Sequence, residues 1–134
     1  MIETYKGSCH CGKVRFEANL DLSTGSMKCN CSICTKTRFW ETHIKPEDFR
    51  LLAGENDLSD YQFGSNSVHH LFCKHCGVRP FVSGHIEEIG GDFYAVNLAC
   101  LDEVDPSKLV EGPIHYADGR NNNWQCSPPA TRHL

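Results

Sequence analysis

A chain of 134 residues, 40% apolar and with a formal charge of −4, is long enough for one domain with a real core. No apolar run approaches the length of a membrane span, and the start Met1-Ile2-Glu3-Thr4-Tyr5-Lys6 lacks a basic-then-apolar leader pattern. No Lys/Arg stripe offers itself to nucleic acid. Nine cysteines, an odd number, in a chain expected to work in the reducing cytoplasm point to metal ligation and away from a disulfide framework.

Taken in chain order, the predicted elements are short and strand-like. Residues 2–6 and 14–18 flank Cys9-His10-Cys11-Gly12, which places that motif on a hairpin turn. Cys29-Asn30-Cys31-Ser32-Ile33-Cys34 follows, then a strand-like stretch over 39–44. Residues 45–49, with Pro46 before two acids, read as a single helical turn. Strand-like stretches over 58–63 and 68–72 lead into Cys73-Lys74-His75-Cys76-Gly77, and further ones cover 78–83 and 93–98. A second turn of helix is expected over 105–109, where Asp105 precedes Pro106. Residues 118–134, with Asn121-Asn122-Asn123 and Pro128-Pro129, read as an irregular tail that wraps the surface or frays. With no repeat and no linker, the expectation is a mainly β fold in a single domain over 1–134.

The cysteine spacing carries the chemistry. Cys73 and Cys76 have the CxxCG spacing of a zinc knuckle, in which a tight turn aims two sulfurs at one metal and glycine tolerates positive φ. Cys9 and Cys11 form a shorter pair, and the two pairs together make a closed set of four ligands, the arrangement of a structural site. Cys29, Cys31 and Cys34 differ, because three thiolates within six residues fill one face of a metal and leave a fourth position for water or substrate. Such a site is catalytic in type, and a thiol entering it would lose its proton. Spacing leaves alternatives open: Cys100, Cys126 or a histidine could complete the trio, and Cys73 and Cys76 could join two of its members. Two zinc ions on seven thiolates would move the effective charge to about −7, which further disfavours polyanions.

The remaining polar residues near these motifs carry weaker signals. Lys36, Arg38 and Arg79 lie close to the clusters and read as surface cations. His10 and His75 sit inside the cluster turns. His69 and His70 occupy successive strand positions, so at most one faces inward. Cys100 reads as a small buried residue, and Phe39 and Trp40 as core residues able to wall a pocket.

Three stretches in order, Gly7-Ser8-Cys9-His10-Cys11-Gly12-Lys13-Val14-Arg15-Phe16, Cys29-Asn30-Cys31-Ser32-Ile33-Cys34 and Phe72-Cys73-Lys74-His75-Cys76-Gly77-Val78-Arg79-Pro80-Phe81, resemble the glutathione-dependent formaldehyde-activating family. That family includes centromere protein V, and Val96-Asn97-Leu98-Ala99-Cys100-Leu101-Asp102 extends the likeness downstream. The resemblance implies a β-tent of small antiparallel sheets, with a structural zinc on Cys9, Cys11, Cys73 and Cys76 and a catalytic zinc on Cys29, Cys31 and Cys34. It also implies a carbon–sulfur lyase of the S-(hydroxymethyl)glutathione synthase type, with a thiol such as glutathione and a small aldehyde as partners. The other reading is a zinc-stabilised binding module without catalysis.

Overall fold

The computed structural model describes residues 1–134 and orders them into ten strands and two short α-helices. These are β1 (Glu3–Ser8), β2 (Arg15–Leu20), β3 (Ser26–Cys29), α1 (Ser32–Thr37), β4 (Glu41–Ile44), β5 (Phe49–Ala53) and β6 (Leu58–Tyr61). They continue with β7 (Val68–Cys73), β8 (Phe81–Ile86), β9 (Gly91–Asn97), α2 (Pro106–Leu109) and β10 (Ile114–Ala117). The expected turn around Pro46 is a 3-10 turn over Pro46–Asp48, and the one around Pro106 is α2, capped by the Asp105 carboxylate on the Ser107 N–H. Three strands escape the periodicity, β3, β5 and β10, as does α1. Each is short, and α1 buries no residue of its own.

The strands form two sheets. One has the order β1-β2-β5, the other β10-β3-β4-β9-β8-β7-β6, and only the β10–β3 pair is parallel. Alternation decides what lies between them. In β2, Phe16, Ala18 and Leu20 are buried while Arg15 is exposed; in β8 and β9, Phe81 and Val96 point at the small sheet. Aromatic rings fill the gap: Phe16 stacks on Phe49 at 5.6 Å, Phe49 on Tyr94 at 4.1 Å, and Phe81 meets Phe16 edge-on at 6.0 Å.

The large sheet is covered in part on its other face as well. Val82 and Ala95, one residue along from Phe81 and Val96's neighbour, join Phe39 and Phe93 in a second apolar cluster against which Cys34 packs. Cross-strand register puts one row of residues on this outer face: Tyr61, His70, Val82, Ala95 and His43 are successive partners across β6, β7, β8, β9 and β4.

Strand β1 crosses the core through Gly7, where a Cβ would stand 2.3 Å from Phe16 Cζ and 2.8 Å from the Cys100 carbonyl oxygen. Gly7→Ala should therefore destabilise the protein by about 1–3 kcal/mol, read from the urea midpoint at unchanged m-value. An unshifted midpoint would show that the ring has room to move.

Candidate metal centres

Two turns of like construction bring four sulfurs together. In the β1–β2 turn the Cys9 N–H donates to the Val14 carbonyl at 3.0 Å, and beyond β7 the Cys73 N–H donates to the Val78 carbonyl at 2.9 Å. Each turn reverses through a glycine in the left-handed region, Gly12 at φ 81° and Gly77 at φ 79°, where a side chain would be strained. The sulfurs of Cys9, Cys11, Cys73 and Cys76 lie within 4.8 Å of one another, with Cys9–Cys11 and Cys11–Cys73 both at 3.6 Å. That is too long for a disulfide and close to the edge of about 3.8 Å expected for four sulfurs around zinc. Backbone N–H groups reach the sulfurs: Val14 N–H points at Cys9 Sγ at 3.4 Å, and those of Val78 and then Cys11 hold the Cys76 thiol down at about 6, whereas Cys11, despite the Lys13 N–H, is pushed up to about 11 by burial and the neighbouring thiols.

The second cluster sits at the end of β3. Cys29 is its buried last residue, Cys31 caps α1 by accepting the Cys34 N–H at 3.5 Å, and Cys34 faces back from the first turn of the helix. The three sulfurs lie within 4.8 Å of one another, and no fourth Cys, His, Asp or Glu ligand atom joins them. Hydrogen bonds from Cys29 and then Cys34 pull the Cys31 thiol down to about 2, while Cys29 is pushed up to about 12 and Cys34 is raised as well. Without a metal the charge thus rests on Cys31, held by the other two thiols, and three converging sulfurs are a donor set suited to a soft divalent cation.

Polar groups close around this trio from three directions. Arg79, half-buried, lies over the Phe39 ring at 4.2 Å and bonds the His70 Nδ1 at 2.9 Å and the Thr37 hydroxyl at 2.7 Å. A guanidinium only donates, so His70 accepts on Nδ1 and carries its proton on Nε2. Burial lowers the pKa of Arg79, opposed by the charges of Cys34, Glu41 and Cys31, and Cys34 packs against the apolar cluster of the Phe39 ring that the guanidinium covers. Beneath the loop, Asn30 is buried and donates to Asp118 Oδ1 at 2.9 Å while accepting the Arg120 N–H at 2.9 Å. Asp118 also accepts from Asn121, and these bonds, Asn121 first and Asn30 second, hold its carboxyl below the usual range. The tail, which holds no strand or α-helix, folds back on the cysteine loop, and Leu134 is buried with its carbonyl accepting from Lys28 and Arg38.

All seven motif cysteines gather in the two groups of four and three. Neither Cys100 nor Cys126 nor any histidine joins the trio, and the Cys73–Cys76 pair does not mix with it. Cys100 is buried beside the four-cysteine group, its thiol pushed up to about 12 by burial and then by the charge of Asp102. Of the histidines, His75 turns out to Asp57 at 2.7 Å and His69 to Asp60 at 2.6 Å, while His70 alone of its pair reaches the site. Sequence reading left Arg79, Thr37, Asn30 and Asp118 out of the site. Asn30 held the one available signal, a polar residue locked between two ligand-type cysteines.

The model of the family described as glutathione-dependent formaldehyde-activating enzyme matches residues 4–116. The fold is similar to the crystal structure of a Rhodobacter sphaeroides protein, with a TM-score of 0.69 and 33% identity over 81% of this chain and 98% of that one.

Removing the buried amide in Asn30→Ala strands the Asp118 oxygen and the Arg120 N–H, and should cost about 2 kcal/mol in chemical denaturation. The Asp118 carboxyl is depressed in the folded state, so its contribution is full above the unfolded value of about 3.9 and disappears as pH falls through the lower folded one. Wild type should accordingly lose more stability than Asn30→Ala between pH 5 and the acid limit; parallel losses would place the clasp elsewhere.

Proposed function

The chain belongs to the glutathione-dependent formaldehyde-activating enzyme family, and from that premise we propose that it is a zinc-dependent carbon–sulfur lyase. It joins a thiol of the glutathione type to formaldehyde or another small carbonyl, and in reverse splits the adduct. The trio of Cys29, Cys31 and Cys34, with three sulfurs converging and no fourth protein ligand, carries this reading. Cys9, Cys11, Cys73 and Cys76 would hold the other ion in a closed, structural set, and the working compartment we propose is the cytoplasm.

Zinc bound by the trio would supply Lewis acidity at a fourth position and so lower the pKa of a thiol placed there. The chain's own residues decide how that thiol arrives. Cys29 is buried at the end of β3 and Phe39 closes the inner side, whereas Cys31 and Cys34 are partly exposed, so approach is from the solvent side across α1. In the addition, the sulfur lone pair forms the C–S bond, the carbonyl π pair moves onto oxygen, and the proton lost by the thiol ends on that oxygen as the new hydroxyl. Holding sulfur and carbonyl together removes much of the entropic barrier to a two-body reaction.

Zinc analysis of single variants tests the division of labour. Cys29→Ser, Cys31→Ser or Cys34→Ser should leave a folded protein with one zinc per chain in place of two and bring adduct formation, followed by NMR with formaldehyde and glutathione, down to the uncatalysed rate. Cys73→Ser or Cys76→Ser should unfold the domain at temperatures where wild type is intact. Equal thermal stability across both sets would refute the assignment, as would X-ray absorption spectra in which neither zinc gains a sulfur ligand on titration with glutathione.

A further inference from the structure

Arg79 is a half-buried cation with no carboxylate partner: none of the ion pairs in the protein includes it. Its two terminal nitrogens bond neutral acceptors, His70 Nδ1 and the Thr37 hydroxyl, and its Nε–H is buried without any acceptor. Glu41, the acidic residue whose charge bears on it, is bonded to His43 at 2.7 Å. A guanidinium is held out of water only where something compensates its charge. The Phe39 ring face at 4.2 Å supplies part of that, and the rest comes from Glu41 and the sulfur cluster: Cys34 packs against the Phe39 cluster that the guanidinium covers, and Thr37, which holds the fork, stands three residues after Cys34 in α1.

We infer that Arg79 is the counter-charge of the Cys29–Cys31–Cys34 site and that it selects an anionic soft ligand, such as a thiolate, over a neutral one at the fourth position. The inference rests on the open-site reading above. Three thiolates around a divalent ion leave one net negative charge, so an anion entering fourth approaches a centre that repels it. The guanidinium cancels that excess. A neutral ligand gains little from the same cancellation, so the preference between the two ligand classes is set by Arg79.

The position is built into the fold. Arg79 stands three residues after Cys76, where the knuckle of the four-cysteine group runs into β8, and its carbonyl accepts from the Asn97 side chain at 2.9 Å. Its fork is set by His70 on β7 and by Thr37 at the end of α1, whose hydroxyl donates in turn to the Ile33 carbonyl at 2.9 Å. Charge and direction are therefore fixed from three elements.

Cobalt(II) in place of zinc gives the site a visible spectrum, and the closed four-cysteine group has no position for an added ligand. Thiocyanate, an anion, and imidazole, a neutral ligand, are titrated against wild type, Arg79→Gln and Arg79→Lys at equal metal content. Arg79→Gln should bind thiocyanate about tenfold more weakly or worse with imidazole affinity little changed, and Arg79→Lys should recover most of the thiocyanate affinity. Equal thiocyanate affinity in wild type and Arg79→Gln would overturn the inference while leaving the open site intact. So would a parallel loss of both ligands in both variants, the mark of a structural role. A wild-type spectrum that answers to neither probe would overturn the open-site reading, and this inference with it.

Discussion

Four cysteine sulfurs from two distant parts of the chain are crowded within 4.8 Å, and the arrangement of both sheets depends on that convergence. Cys9 and Cys11 belong to the hairpin of the three-stranded sheet, Cys73 and Cys76 to the end of β7 in the seven-stranded one. Nothing covalent joins them, and as thiolates they repel one another unless a cation holds them. With a cation, the same crowding becomes a clamp between the sheets at the margin of the aromatic core, where Cys9 and Cys73 are buried. The two turns that deliver the sulfurs share one device: a cysteine N–H bonded to a valine carbonyl across the turn, and a glycine in the left-handed region.

The pleat of the large sheet then separates this group of four from the group of three. Phe81 and Val96 face the small sheet with the four-cysteine group; Val82 and Ala95, their neighbours in sequence, face the other way, toward Phe39 and Cys34. The partly exposed Cys31 and Cys34 therefore lie on the opposite face of the large sheet from the four sulfurs that meet between the sheets. The short run from Cys76 to Arg79 links the two centres, since it begins in the knuckle of one and ends on Phe39 and on Thr37 of α1, the helix that carries Cys34.

The trio owes its shape to contacts from far along the chain. Asn30 is fixed by Asp118 and Arg120, residues just beyond the 4–116 stretch matched by the family model, and β10 lies parallel against β3 to bring them there. A six-residue helix with no buried residue would not hold Cys31 and Cys34 in place unaided, being shorter than helices that persist in water. The clasp below and the Arg79–Thr37 bond above supply the missing restraint.

Cysteine spacing by itself determined which sulfurs share a turn, in the CxC, CxCxxC and CxxCG motifs, but it left open how the turns combine; the tertiary structure joined Cys9 and Cys11 to Cys73 and Cys76 and kept Cys29, Cys31 and Cys34 apart. Alternation of β-branched and aromatic residues likewise determined the mainly β class and seven of the ten strands. What escaped had no local signal. β3, β5 and β10 are four or five residues long, and they are strands because neighbouring strands complete their hydrogen bonds. Arg79 reads as one more surface cation until β7, α1 and Phe39 are assembled around it, and Asp118 reads as tail until it lies beneath Asn30. Only the tertiary structure could make them part of the site, because a charge or an amide acquires its role from what surrounds it when it leaves water, and here those surroundings come from residues up to 90 positions away.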